Sequence, residues 1–175
     1  MVVDASAIIA VLAEEPKASE VLTALQNYGG PFILSPMTVF EATLGLARAR
    51  AERNRAATRE DIAATLMAVE KFLEALEAEE APVTPDLARK AVDGAARYRR
   101  LVGHPADLNF GDCFVYACAE ARGAPLLFVG DDFTHTDARA CRATASGVAA
   151  GTARRGRPSG RAYDRVPSSA FKPCR

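Results

Sequence analysis

Three short apolar runs, Met1-Val2-Val3, Phe32-Ile33-Leu34 and Leu126-Leu127-Phe128-Val129, constrain this chain most. Continuous apolar runs of this length read as strands buried on both faces. The segments between them read as helices. Ala5 to Leu12 is one, and Lys17 to Gln26 is a second, with Val21, Leu22 and Leu25 on one side. Ser35-Pro36 opens a third carrying Val39, Ala42, Leu46 and Ala49. Thr58, three residues before Asp61, starts a fourth in the manner of a capping box, with Ile62, Leu66, Val69, Leu73 and Leu76 as its apolar face. Ala81-Pro82-Val83 reads as a weak strand, Thr84-Pro85 caps a helix with Leu87, Ala91 and Tyr98 inward, and a last helix runs from Gly111 to about Arg122. Strands alternating with helices predict an α/β fold in three layers, a central parallel sheet flanked by helices.

The 22 basic and 22 acidic residues of the 175-residue chain are unevenly placed. Residues 1–137 hold 13 basic and 21 acidic residues, whereas residues 138–175 hold nine basic residues and the single acid Asp164. The second segment is rich in Ala, Gly, Arg, Ser and Pro, and its few large apolar residues form no face. Such a segment buries too little to offset its ordering entropy, so residues 1–137 are expected to be the folded domain and residues 138–175 a basic, disordered tail. No stretch approaches the roughly 18 apolar residues of a membrane span. The start, Met1-Val2-Val3-Asp4, has no basic region followed by an apolar one, and a cytoplasmic location is expected. Four cysteines without a CxxC pair suggest neither a disulfide framework nor a zinc site.

Acidic residues follow the strands. Asp4 ends the first run, Asp131-Asp132 end the last, Glu41 lies one turn into the helix after the second, and Asp112 opens its helix beside Gly111. In open parallel sheets the crevice beyond the carboxyl ends of the strands binds ligands. Singly, Asp112 reads as a helix N-terminal acid, Glu41 as a solvated or ion-paired helix residue and Asp131-Asp132 as loop formers. Together the acids would repel unless a cation joined them, and oxygen-only donors select hard ions such as Mg²⁺ or Mn²⁺. Such a cleft can activate water for in-line attack on a phosphodiester. A haloacid-dehalogenase-like phosphatase would need a second aspartate where Ser6 stands. A receiver domain would need paired acids near the first strand and a lysine after a late one, and neither is present.

Val3-Asp4-Ala5-Ser6-Ala7-Ile8, Thr38-Val39-Phe40-Glu41-Ala42, Leu108-Asn109-Phe110-Gly111-Asp112-Cys113-Phe114 and Leu126-Leu127-Phe128-Val129-Gly130-Asp131-Asp132-Phe133 resemble, in order, the motifs of the PIN-domain family, most closely its VapC-type toxins. The resemblance covers residues 1 to about 137. It implies a Mg²⁺- or Mn²⁺-dependent endoribonuclease acting on structured RNA such as transfer or ribosomal RNA. It assigns catalysis and metal binding to Asp4, Glu41, Asp112 and a fourth acid. Asp131, nearest the strand end, is preferred for the fourth position over Asp132. Ser6 matches a hydroxyl residue that holds the first aspartate, and Asn109 a polar position beside the cleft. The resemblance further implies a cognate antitoxin covering the cleft, and a homodimer.

Family members usually end soon after the motif that contains Asp137, and the 38 residues beyond read either as an accidental frameshifted tail or as an RNA-binding arm. The alternative to an enzyme is a non-catalytic antitoxin- or RNA-binding protein inactivated by that altered C-terminus. His104 and His135 are expected to be solvated loop residues, and Cys113 and Cys118 buried small hydrophobes. Arg97, Arg99 and Arg100 are candidates to steer RNA towards the cleft.

Overall fold

A computed structural model describes residues 1–51 and 55–142. Five strands form one parallel sheet: β1 (Val2–Val3), β2 (Ile33–Leu34), β3 (Glu79–Glu80), β4 (Leu126–Phe128) and β5 (Ala140–Arg142), in the spatial order β3-β2-β1-β4-β5. Among the described residues six α-helices accompany it: α1 (Ala5–Leu12), α2 (Ala18–Asn27), α3 (Pro36–Arg50), α4 (Arg59–Ala75), α5 (Pro85–Tyr98) and α6 (Phe110–Arg122). The expected α/β architecture is present. Strand order reverses between β1 and β4, and the crevice of an open sheet lies beyond the carboxyl ends of two such strands.

The central strands are as apolar as two-sided burial demands. Val2, Val3, Leu126 and Leu127 are fully buried. Val2, Ile33, Leu126 and Phe128 join Leu87 and Ala91 of α5 and Val115, Tyr116 and Cys118 of α6 in one cluster. Residues alternate across a strand, so Val3 and Leu127 face the opposite side. The α5–α6 crossing is close: a Cβ at Gly94 would lie 2.8 Å from Tyr116 Cδ1. Helix ends follow their caps. Thr58 Oγ1 accepts from Asp61 N while Asp61 Oδ2 accepts from Thr58 N, as the spacing predicts. Gly123 ends α6 at φ +56°, a left-handed conformation that favours glycine.

Three local expectations shift. The third strand is Glu79–Glu80, not Ala81-Pro82-Val83. Glu79 N donates to Phe32 O and Ala81 N to Leu34 O, and the ladder stops at Pro82, which has no N–H. Helix α4 buries Thr65, Val69 and Phe72, leaving Ile62 and Leu66 more than a third exposed. Its apolar stripe is wider than the surface α3 covers. Finally, β5 lies within the segment that composition assigns to the tail. It pairs with β4 in the register Leu126↔Ala140, Leu127↔Cys141 and Phe128↔Arg142.

Carboxylates and aromatic rings hold β5 in place. Tyr116 Oη donates to Asp137 Oδ1 at 2.7 Å, and Arg97 pairs with Asp93, Glu120 and Asp137. Backbone hydrogen bonds between β-strands need no apolar side chain, which is how an Ala-Cys-Arg edge strand escapes a search for apolar runs. The rest of the expected tail, residues 143–175, lies outside the described residues. No helix among the described residues is long and apolar enough to cross a membrane.

Candidate active site

Asp4 stands at the junction of β1 and α1. Its backbone N–H donates to Leu127 O at 2.9 Å, tying it to β4, and its side chain caps α1 by accepting from Ser6 N at 2.9 Å. An aspartate is a favoured N-cap. Ser6 Oγ also donates to Asp4 Oδ2 at 2.5 Å, and it accepts from Val129 N at 3.0 Å. One hydroxyl therefore fixes the first acid to the end of β4, which gives the sequence expectation for Ser6 a physical form. Ser6→Ala orphans the Val129 N–H and frees the Asp4 carboxylate. It is expected to cost about 1–3 kcal/mol in a urea melt and to lower turnover.

Asp112 occupies the third position of α6 in a reciprocal cap. Its Oδ2 accepts from Asn109 N at 2.7 Å, and Asn109 Oδ1 accepts from Asp112 N at 3.0 Å. Asn109, without a role from sequence, thus orients Asp112. The reading of Asp112 as a helix N-terminal acid holds, and its capping role leaves its other carboxylate oxygen, Oδ1, outside the cap.

Glu41 reaches the same region from α3. Its carboxylate rests against the bare Cα of Gly111: a Cβ there would lie 2.1 and 2.2 Å from its two oxygens.

The electrostatics join these acids. Burial raises the pKa of Asp4, against the lowering effect of the Ser6 hydrogen bonds, and the charge of Asp132 raises it further. Asp112 is pushed up to about 6, chiefly by burial and then by Asp4 and Asp132, while Asn109 and Arg99 act the other way. Glu41 is pushed up to about 7 by burial, with Asp112 and Asp4 adding to the effect. Asp4, Glu41 and Asp112 therefore share one field, and of the Asp131-Asp132 pair it is Asp132 that acts on it. Asp131 presents its carbonyl to the N–H and hydroxyl of Thr134, within the turn that leads towards β5.

Among the expected steering arginines, Arg97 is committed to Asp93, Glu120 and Asp137, and Arg100 pairs with Asp107 at 3.5 Å. Arg99 is the one whose charge reaches Asp112. His104 is a loop residue, its Nδ1 accepting from Ala106 N and its ring edge-on to Tyr98. Cys113 and Cys118 are buried free thiols, as expected, with burial raising Cys118 to about 11.

Among the described residues no three His, Cys, Asp or Glu side chains stand close enough to chelate an ion as they are. The donor chemistry nevertheless fits a hard divalent cation. All the converging donors are carboxylate oxygens, and several raise one another's pKa. A cation would offset that repulsion.

The protein is thus of the parallel α/β class, with Asp4, Glu41 and Asp112, from separate elements, acting on one another's charge. The comparisons narrow that class. The family model described as PIN domain matches residues 1–139. A VapC ribonuclease of Rhizobium meliloti is 39% identical over 137 residues, covering 77% of this chain and 96% of its own length. Ribonuclease VapC42 of Mycobacterium tuberculosis is 37% identical over 139 residues, covering 79% and 97%. The crystal structure of Mycobacterium tuberculosis VapC20, a sarcin-ricin loop cleaving toxin, shares the fold, with a TM-score of 0.57 at 18% identity over 79% of this chain and 98% of that one. The chain belongs to the PIN-domain family and, within it, to the VapC ribonucleases.

Proposed function

We propose that this protein is a divalent-metal-dependent endoribonuclease, the toxin of a toxin–antitoxin pair, which hydrolyses RNA phosphodiester bonds in the cleft of Asp4, Glu41, Asp112 and Asp132. The observation that carries this reading is that acids from separate elements act on one another's charge, Asp4 and Asp112 each held by its own cap and Glu41 set against Gly111. Mg²⁺ or Mn²⁺, held by these carboxylates, would supply Lewis-acid stabilisation of the charge that develops on the phosphate. The chain's own part is placement. Ser6 and the start of α1 fix Asp4, and Asn109 fixes Asp112. Attack by water forms one phosphorus–oxygen bond and breaks the ester bond opposite. On this reading Glu41 accepts the proton of that water, and the leaving oxygen takes up a proton from solvent. Arg99 offers a positive charge beside Asp112 for the RNA backbone.

The partners follow from the same reading: a structured RNA, of transfer or ribosomal type, an antitoxin and a second copy of the chain, in the cytoplasm. Exposed Phe40 and Leu44 on α3 and Ile62, Leu66 and Met67 on α4 provide apolar surface for protein partners.

The test is cleavage of a panel of structured RNAs by the full chain with Mg²⁺, Mn²⁺ or EDTA. Metal-dependent cleavage is expected. Asp132→Asn should lower it more than tenfold, and Asp131→Asn less than threefold. The opposite ranking would return the fourth place to Asp131. Silence from folded protein that still binds RNA would favour the non-catalytic alternative.

A further inference from the structure

We propose that Gly111 is a positioning residue: the missing side chain at the second position of α6 is the space through which the Glu41 carboxylate enters the acid cluster. This inference rests on the ribonuclease reading of the cleft. Glycine weakens a helix, so one inside α6 asks for a reason. Conformation is not the reason. The glycines with positive φ among the described residues are Gly103, Gly123 and Gly130, and Gly111 sits in ordinary helical backbone.

Space is the reason. A Cβ at Gly111 would stand 2.1 Å from Glu41 Oε2, 2.2 Å from Oε1 and 2.3 Å from Cδ, closer than non-bonded atoms approach. Two other crowded glycines face apolar side chains: Gly45 meets Ile9 and Gly94 meets Tyr116, as packing of α1 on α3 and of α5 on α6 requires. Gly111 instead meets the charged end of a site residue. That end belongs to a flexible side chain on α3. A methyl group at position 111 is therefore accommodated by Glu41 swinging aside, without parting α3 from α6. The substitution leaves the fold standing and takes one carboxylate out of the cluster.

The test is a double-variant cycle on the full chain with Gly111→Ala, Glu41→Ala and the two combined. In RNA cleavage with Mn²⁺, Gly111→Ala should lower kcat at least tenfold and leave KM within twofold. In the Glu41→Ala background, the same change should lower kcat no further. In ion-free protein, Gly111→Ala should raise Tm more in the Glu41→Ala background than in the parent, because nothing remains to be displaced. Equal Tm shifts in the two backgrounds would overturn the inference, as would parental kcat in Gly111→Ala or additive losses in the double variant. A parent that melts cooperatively but cleaves no RNA would count against the ribonuclease reading alone, and the melting cycle would still decide the place of Gly111.

Discussion

Asp112→Asn is expected to lower RNA cleavage roughly 10²–10³-fold while leaving the ion-free protein as stable as the parent or more so. The two effects have one cause. Asp112 is 7% exposed, and its pKa of about 6 means that the folded protein disfavours its charge at neutral pH. The displacement from 3.8 corresponds to on the order of 3 kcal/mol. Asparagine removes that charge and still offers an oxygen to Asn109 N, so the cap survives in neutral form. The lost charge–dipole interaction at the start of α6 offsets about 0.3–1 kcal/mol of the gain. A net rise of several degrees in Tm at pH 7.5 without divalent ions is the expected result, measured beside the cleavage assay on the same preparation. A site built for stability would behave oppositely, losing both on substitution.

Acidifying ion-free protein from pH 8 to pH 5 should stabilise it, and saturating Mg²⁺ should reverse the trend. Asp4, Glu41 and Asp112 all have folded pKa values above their ordinary ones, with Glu41 near 7 and Asp112 near 6. The folded state therefore binds protons more tightly than the unfolded chain does. The stability these groups lend is fully present below their unfolded values of 3.8 and 4.5 and is lost as pH rises through 6 to 7. Asp61, lowered to about 2, chiefly by its hydrogen bond to Arg55, and Asp137, lowered chiefly by Tyr116, act in the other direction, but only as pH falls below about 4. The stability maximum without ions should thus fall near pH 5, not near neutrality. Bound Mg²⁺ requires ionised carboxylates, so its stabilising effect grows with pH. Urea melts across pH with EDTA or Mg²⁺ check both slopes, and a flat ion-free profile between pH 5 and 8 would contradict the shared-field account.

What the sequence made legible follows from where apolar side chains are obligatory. Strands β1, β2 and β4 are buried on both faces and announce themselves as Val-Val, Ile-Leu and Leu-Leu-Phe. The edge strands β3 and β5 join the sheet through backbone hydrogen bonds that ask for no apolar side chain, and Glu-Glu and Ala-Cys-Arg carry no such mark. The strand β5 also shows that the fold runs past Asp137, to Arg142. Asp4, Glu41 and Asp112 drew attention in the sequence because each follows a strand or lies in the first turns of a helix. The proposal of Asp132 in place of Asp131 could not come from sequence, because it depends on how the chain turns after Gly130, at φ +107°. In the sequence Gly111 read only as the first residue of the last helix, with no role of its own. The readable signal was a glycine inside an otherwise good helix, directly before an acid.

In the proposed mechanism Asp4, Glu41, Asp112 and Asp132 form one ion-binding centre that performs the hydrolysis. Titrating Mn²⁺ into EDTA-stripped full-length protein, with Tm and RNA cleavage followed in the same samples, tests it most directly. Both should rise with a common midpoint, and Asp112→Asn should show neither rise. Cleavage that appears without any shift in Tm, or a shift that survives in Asp112→Asn, would contradict that mechanism.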